Sequence, residues 1–83
     1  SAFFHTGLDL ILRRLGVQTV LLAGTTTPNC IRTTCYDAIS LDYDVVVLSD
    51  CTSSVTDAVQ AANLADMQRV GAVVCRSTEL TLA

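Results

Sequence analysis

The sequence predicts an α/β protein built on a parallel sheet with helices packed against it. Three observations carry this expectation. Helical apolar spacing and short β-branched runs alternate in the order α-β-α-β-α-β. The strand-like runs are apolar at consecutive positions, the pattern of strands buried on both faces. The segments between them are long enough for crossover helices, and right-handed crossovers then set the topology.

Each element follows from its residues. Leu8, Ile11, Leu12 and Leu15 mark one helical face, with Thr6 placed to cap its start and Gly16 to end it. Val17 to Ala23 is the first strand, closed by Gly24. Ile31, Cys35, Ala38 and Ile39 return to helical spacing, and Val45 to Leu48 is a β-branched strand. Val55, Ala58, Val59 and Ala62 open a third helix, with Ser54 and Asp57 spaced as a capping box and Gly71 at its end. Ala72 to Cys75 is the last short strand. Three strands and three helices make about half of a doubly covered sheet, with at least one strand edge in want of a neighbour.

The chain has 83 residues, 51% of them hydrophobic and 16% charged, which excludes a disordered or collagen-like segment. Its length excludes two domains. All five basic residues are arginines, scattered along a chain of net charge −3, so no basic footprint for nucleic acid or an anionic membrane exists. No apolar run approaches the ~20 residues of a transmembrane helix, and no signal-peptide pattern opens the chain.

Cys30, Cys35, Cys51 and Cys75 show no CxxC spacing, and each lies in or beside an apolar element. That favours reduced thiols in a cytoplasmic protein over a disulfide framework. His5 has no ligand-spaced companion, so neither a metal site nor a cofactor is expected.

Chemistry in open α/β sheets gathers where strands end and helices begin. The turn after the first strand reads Gly24-Thr25-Thr26-Thr27-Pro28-Asn29-Cys30. Thr27 as N-cap and Pro28 at the first helical position would put Cys30 at N3. Unpaired amides and the helix dipole favour an anion there, which makes Cys30 a candidate nucleophile. The same amides would suit an oxyanion. Packing of a small buried cysteine is the competing reading. Phosphate binding fails on composition: Gly24 stands alone in the turn, and the chain has no lysine for a P-loop.

These residues resemble a known family. Ser1-Ala2-Phe3, Thr6 with Leu8, Gly16-Val17, Gly24 six residues before Cys30, Thr34, Asp37-Ala38, Ser49-Asp50 and the stretch to Met67 and Gly71 look like the second half of an isochorismatase-like cysteine hydrolase. The family includes nicotinamidases, N-carbamoylsarcosine amidases, ureidoacrylate and biuret hydrolases, and isochorismatases. The resemblance implies a three-layer α/β/α Rossmann-like parallel sheet, with residues 1–83 as the C-terminal part of one domain. It implies cleavage of a C–N amide-type bond of a small molecule through a thioester. Cys30 would be the nucleophile, the backbone N–H groups of Thr26 and Cys30 the oxyanion hole, and Thr25–Thr26 a cis peptide. The family's Lys and Asp would lie upstream of Ser1, which leaves the 83-residue chain inactive alone. A homo-oligomer is the expected state of the complete protein. The alternative, from another class, is a non-catalytic α/β module used for binding or oligomerisation.

Other residues carry weaker expectations. Phe3 and Arg32 are possible substrate-pocket residues, against core packing and a solvated face respectively. His5 is a conceivable base for Cys30 but reads better as a surface or interface residue. Cys35 reads as core, Cys51 as core or rim, and Asp50 as a cap for the loop after its strand.

Overall fold

A computed structural model describes residues 1–80. Helix α1 spans Leu8–Arg14, strand β1 Thr19–Thr25, helix α2 Arg32–Ser40, strand β2 Asp44–Ser53, helix α3 Asp57–Arg69 and strand β3 Val73–Cys75. A single π-helical turn, Thr27–Ile31, leads into α2, and a 3₁₀ turn, Ser77–Glu79, follows β3. The sheet is parallel throughout, in the order β1-β2-β3. The α/β alternation expected from the sequence is therefore present.

Register explains which side chains are buried. Leu22, Val47 and Val74 form one row across the sheet, and Val20 pairs with Val45 on the same face. Val45 and Val47 are fully covered there, beneath a core that includes Ile31, Cys35, Ala38, Tyr43 and Met67. Leu8 and Leu12 of α1, Ile39 of α2 and Leu64 of α3 pack on that core. The neighbouring row, Leu21, Val46 and Val73, faces the other way. Leu21 is 47% exposed and Val73 59%. The described residues thus supply the sheet and one helical layer; the second layer of a three-layer fold is not among them.

Helix α1 departs from its expected burial. Leu8 and Leu12 reach the core, but Ile11 and Leu15 are exposed, because no described element packs on their side of the helix. Its start shifts by one residue: Gly7, not Thr6, is the N-cap and no side chain caps it, although the Leu8 N–H donates to Thr6 Oγ1 at 3.3 Å. Its end forms as expected, with Gly16 at φ 74° just past the last turn. The Tyr43 hydroxyl donates to Asp9 Oδ1 at 2.7 Å, and Arg13 pairs with Asp9, lies over the Tyr43 ring and donates to the Leu41 carbonyl. These contacts dock α1 on the loop that leads into β2.

The start of α3 also differs. Thr56, not Ser54, is the N-cap: its side chain accepts from the Val59 N–H at 3.1 Å. The helix begins at Asp57, so Ser54 lies too far upstream to reach the first turn, and its buried Oγ has no partner among the described residues. Val55 falls outside the helix and is exposed. Among the described residues, no helix is long and apolar enough to cross a membrane.

Candidate active site

The site forms where β1 gives way to the π-turn. Pairing between β1 and β2 slips between Leu22 and Gly24, so that Gly24 faces Thr52. Gly24 adopts φ 117°, which a side chain would strain, and this lets the strand re-aim as it leaves the ladder. The next peptide bond, Thr25–Thr26, is cis. Thr26 is extended and caps the turn: its carbonyl accepts the N–H groups of Asn29 (3.1 Å) and Ile31 (3.3 Å). Asn29 Nδ2 donates to Thr26 Oγ1 at 3.1 Å, and Thr33 Oγ1 donates to the Asn29 carbonyl at 2.9 Å.

The N-cap therefore falls at Thr26, one residue before the Thr27 expected from sequence. Thr27 is completely buried and its hydroxyl donates to the Ser53 carbonyl at 3.1 Å, so it serves packing against β2 and not the cap. Pro28 sits at the second position of the turn and Cys30 at the fourth. Cys30 remains within this first turn, at the carboxyl end of β1.

Cys30 is exposed and borders a cavity of about 430 Å³. Leu21, Gly24 and Thr25 form one wall along the free edge of β1; Ile31 and Thr34 form the wall from the helical side, and Ser1 and Ala2 close the rim. The Ala2 N–H donates to Thr34 Oγ1 at 3.0 Å, tying the rim to α2. Thr34 was not singled out as a site residue from its sequence position, although a hydroxyl four residues after Cys30 was the available signal.

The remaining sequence-derived candidates lie elsewhere. Phe3 is buried, its ring stacked on Tyr43 with centroids 5.7 Å apart, and does not border the Cys30 cavity. Arg32 turns toward α3: Nη1 donates to Asn63 Oδ1 at 3.4 Å, and the guanidinium lies over the Tyr36 ring. His5 packs edge-on against Phe4 in a separate depression with Asp37 and Leu41. Cys35 is fully buried, and desolvation pushes its thiol up to about 11. Cys51 is exposed beside Asp50, and Cys75 is half-buried. Asp50 accepts from the Ser77 N–H (2.7 Å) and hydroxyl (2.6 Å), which hold its carboxyl below the ordinary aspartate value. All four cysteines are free thiols. Among the described residues, no group of three or more His, Cys, Asp or Glu is placed to hold a metal ion.

The model of the isochorismatase domain family matches residues 1–79. The chain belongs to the isochorismatase family. A family protein of known structure from Desulfovibrio vulgaris superposes with a TM-score of 0.92 at 49% identity, covering 94% of this chain and 41% of that one. A probable inactive nicotinamidase of Arabidopsis thaliana is 46% identical over 72 residues, 86% of this chain and 37% of its own length. Maleamate amidohydrolase of Pseudomonas putida is 39% identical over 77 residues, 92% of this chain and 36% of its own length. The chain thus spans little more than a third of the length of these two curated relatives.

Proposed function

We propose that this chain is the C-terminal, nucleophile-bearing part of a single isochorismatase-family hydrolase domain that cleaves a C–N amide-type bond of a small molecule. One observation carries the reading: an exposed cysteine in the first helical turn after β1, bordering a cavity at the carboxyl edge of the sheet. The amidohydrolase name of the Pseudomonas relative supports the reaction class.

In this reading the Cys30 thiolate attacks the amide carbon and forms the S–C bond. The negative charge passes to the carbonyl oxygen, where the backbone N–H groups of Thr26 and Cys30 stabilise it. The C–N bond then breaks, and the leaving nitrogen takes the proton that the thiol gave up on becoming the thiolate. Water hydrolyses the thioester, releasing the carboxylate and restoring the thiol. Loss of one such donor typically costs about 100-fold or more in rate, so the turn's geometry matters as much as its sulfur. By the family resemblance, the Asp and Lys that activate the thiol come from sequence upstream of Ser1.

A non-catalytic module is the second reading, favoured by the relative named as an inactive nicotinamidase. Ammonia release from nicotinamide, maleamate and a panel of small amides separates the two in the longer protein that contains this chain. The hydrolase reading expects turnover of at least one amide and, for Cys30→Ser, a fall of more than ~100-fold. Equal rates for wild type and Cys30→Ser overturn the nucleophile assignment. No turnover across the panel, with correct folding, favours the module.

A further inference from the structure

We propose that Thr34 is a positioning residue for the Cys30 thiol: its hydroxyl holds the Ser1–Ala2 backbone against the helical wall that carries Cys30, and so sets the rim of the cavity that the sulfur borders. The proposal rests on the reading of Cys30 as nucleophile. Thr34 is only 8% exposed, and buried residues of this kind keep their polar atoms hydrogen-bonded. It accepts the Ala2 N–H at 3.0 Å across 32 residues of sequence. Thr34, Cys30, Ser1 and Ala2 all border the same cavity.

The other hydrogen bonds of this segment stay within it or its junction with α1. Ser1 Oγ accepts from the Phe3 N–H, and Thr6 Oγ1 donates to the carbonyls of Ala2 (2.6 Å) and Phe3 (3.1 Å). They shape the segment but do not say where it stands relative to Cys30. Two contacts do. Phe3 anchors it by burying its ring against Tyr43, an attachment without a hydrogen bond's directionality. The Thr34 bond is directional and fixes the height of Ala2 over α2. The rim that Ser1 and Ala2 form beside the thiol depends on that height, and a misplacement of about 1 Å can cost about 100-fold in a preorganised site.

Iodoacetamide alkylation of the longer protein at neutral pH tests this without a known substrate. Peptide mass spectrometry gives the rate at Cys30 relative to Cys51, a thiol exposed in this chain, which serves as internal reference. Thr34→Val should lower the Cys30:Cys51 ratio by roughly fivefold, the scale of one net hydrogen bond, while Thr34→Ser keeps the wild-type ratio. A Thr34→Val protein that melts earlier but keeps the ratio has lost only structural support, and overturns the proposal. Thr34→Ala, which removes the hydroxyl without adding apolar bulk, replaces Thr34→Val if that variant does not fold. A wild-type protein in which Cys30 reacts no faster than Cys51 overturns the nucleophile reading and the positioning role together. That failure is visible before any substitution is made.

Discussion

The Thr27 hydroxyl donates a 3.1 Å hydrogen bond to the carbonyl of Ser53, joining the turn that carries Cys30 to the last residue of β2. The sequence reading assigned that hydroxyl to the helix cap. Used this way instead, it braces the π-turn from beneath, at a position with no solvent exposure. Replacing Thr27 with Val leaves the Ser53 carbonyl without this donor. The expected cost is about 1–3 kcal/mol in a urea denaturation series, with Thr27→Ser retaining most of the stability. A Thr27→Val midpoint equal to wild type would show that water or another donor already serves Ser53.

The core beneath the sheet is small, and Met67 is one of its fully buried side chains. Met67→Ala should destabilise by about 2–5 kcal/mol through lost burial and the cavity left behind. For a domain with roughly 5–15 kcal/mol of stability that is a large share. Chemical denaturation of the longer protein measures it; a cost below about 0.5 kcal/mol would be the size of an ordinary surface change and would contradict the burial seen here.

These two residues also show how far the sequence could be read. The strands and helices were legible from two different signals: Val45 to Leu48 is a short, continuous β-branched run, and Ile31, Cys35 and Ala38 repeat at helical spacing. Caps were legible only approximately. Thr25, Thr26 and Thr27 are three adjacent threonines; the N-cap position falls on Thr26 with no hydroxyl capping the turn, while Thr27 bonds Ser53, a residue 26 positions away. Ser54 and Thr56 pose the same ambiguity at α3, settled by where the chain leaves β2. Arg32 follows Cys30 closely but turns to Asn63 and Tyr36, a tertiary choice that spacing does not encode. Ile11 and Leu15 carry a correct helical period whose burial depends on packing that lies outside the described residues.

Cys35 makes a pH dependence at the alkaline end. Burial raises its thiol from 9.0 to about 11, so the folded state holds the proton where the unfolded chain releases it. Its contribution is complete below pH 9 and is lost as pH rises toward 11. Thermal melts across that window should fall more steeply for wild type than for Cys35→Ala. Parallel slopes would mean that Cys35 is hydrated in solution.

Asp50 acts at the opposite end of the scale. Its hydrogen bonds from Ser77 lower its pKa from the ordinary 3.8, so the folded state favours the carboxylate more than the unfolded chain does. The linked stability is present above pH 3.8 and disappears as pH falls through the lowered value. Asp50→Asn should therefore melt earlier than wild type at neutral pH, and the gap should close in acid. A gap that stays constant with pH would assign the effect to packing and not to charge.

The claim that Cys30 forms a thioester is tested most directly by catching it. The longer protein is mixed with an amide substrate, quenched in acid within one turnover, digested and read by mass spectrometry. The expected result is an acyl adduct on the peptide that contains Cys30, absent from a Cys30→Ala sample treated alike. Hydrolysis that proceeds with no adduct on Cys30, or at an undiminished rate in the Cys30→Ala protein, would contradict it.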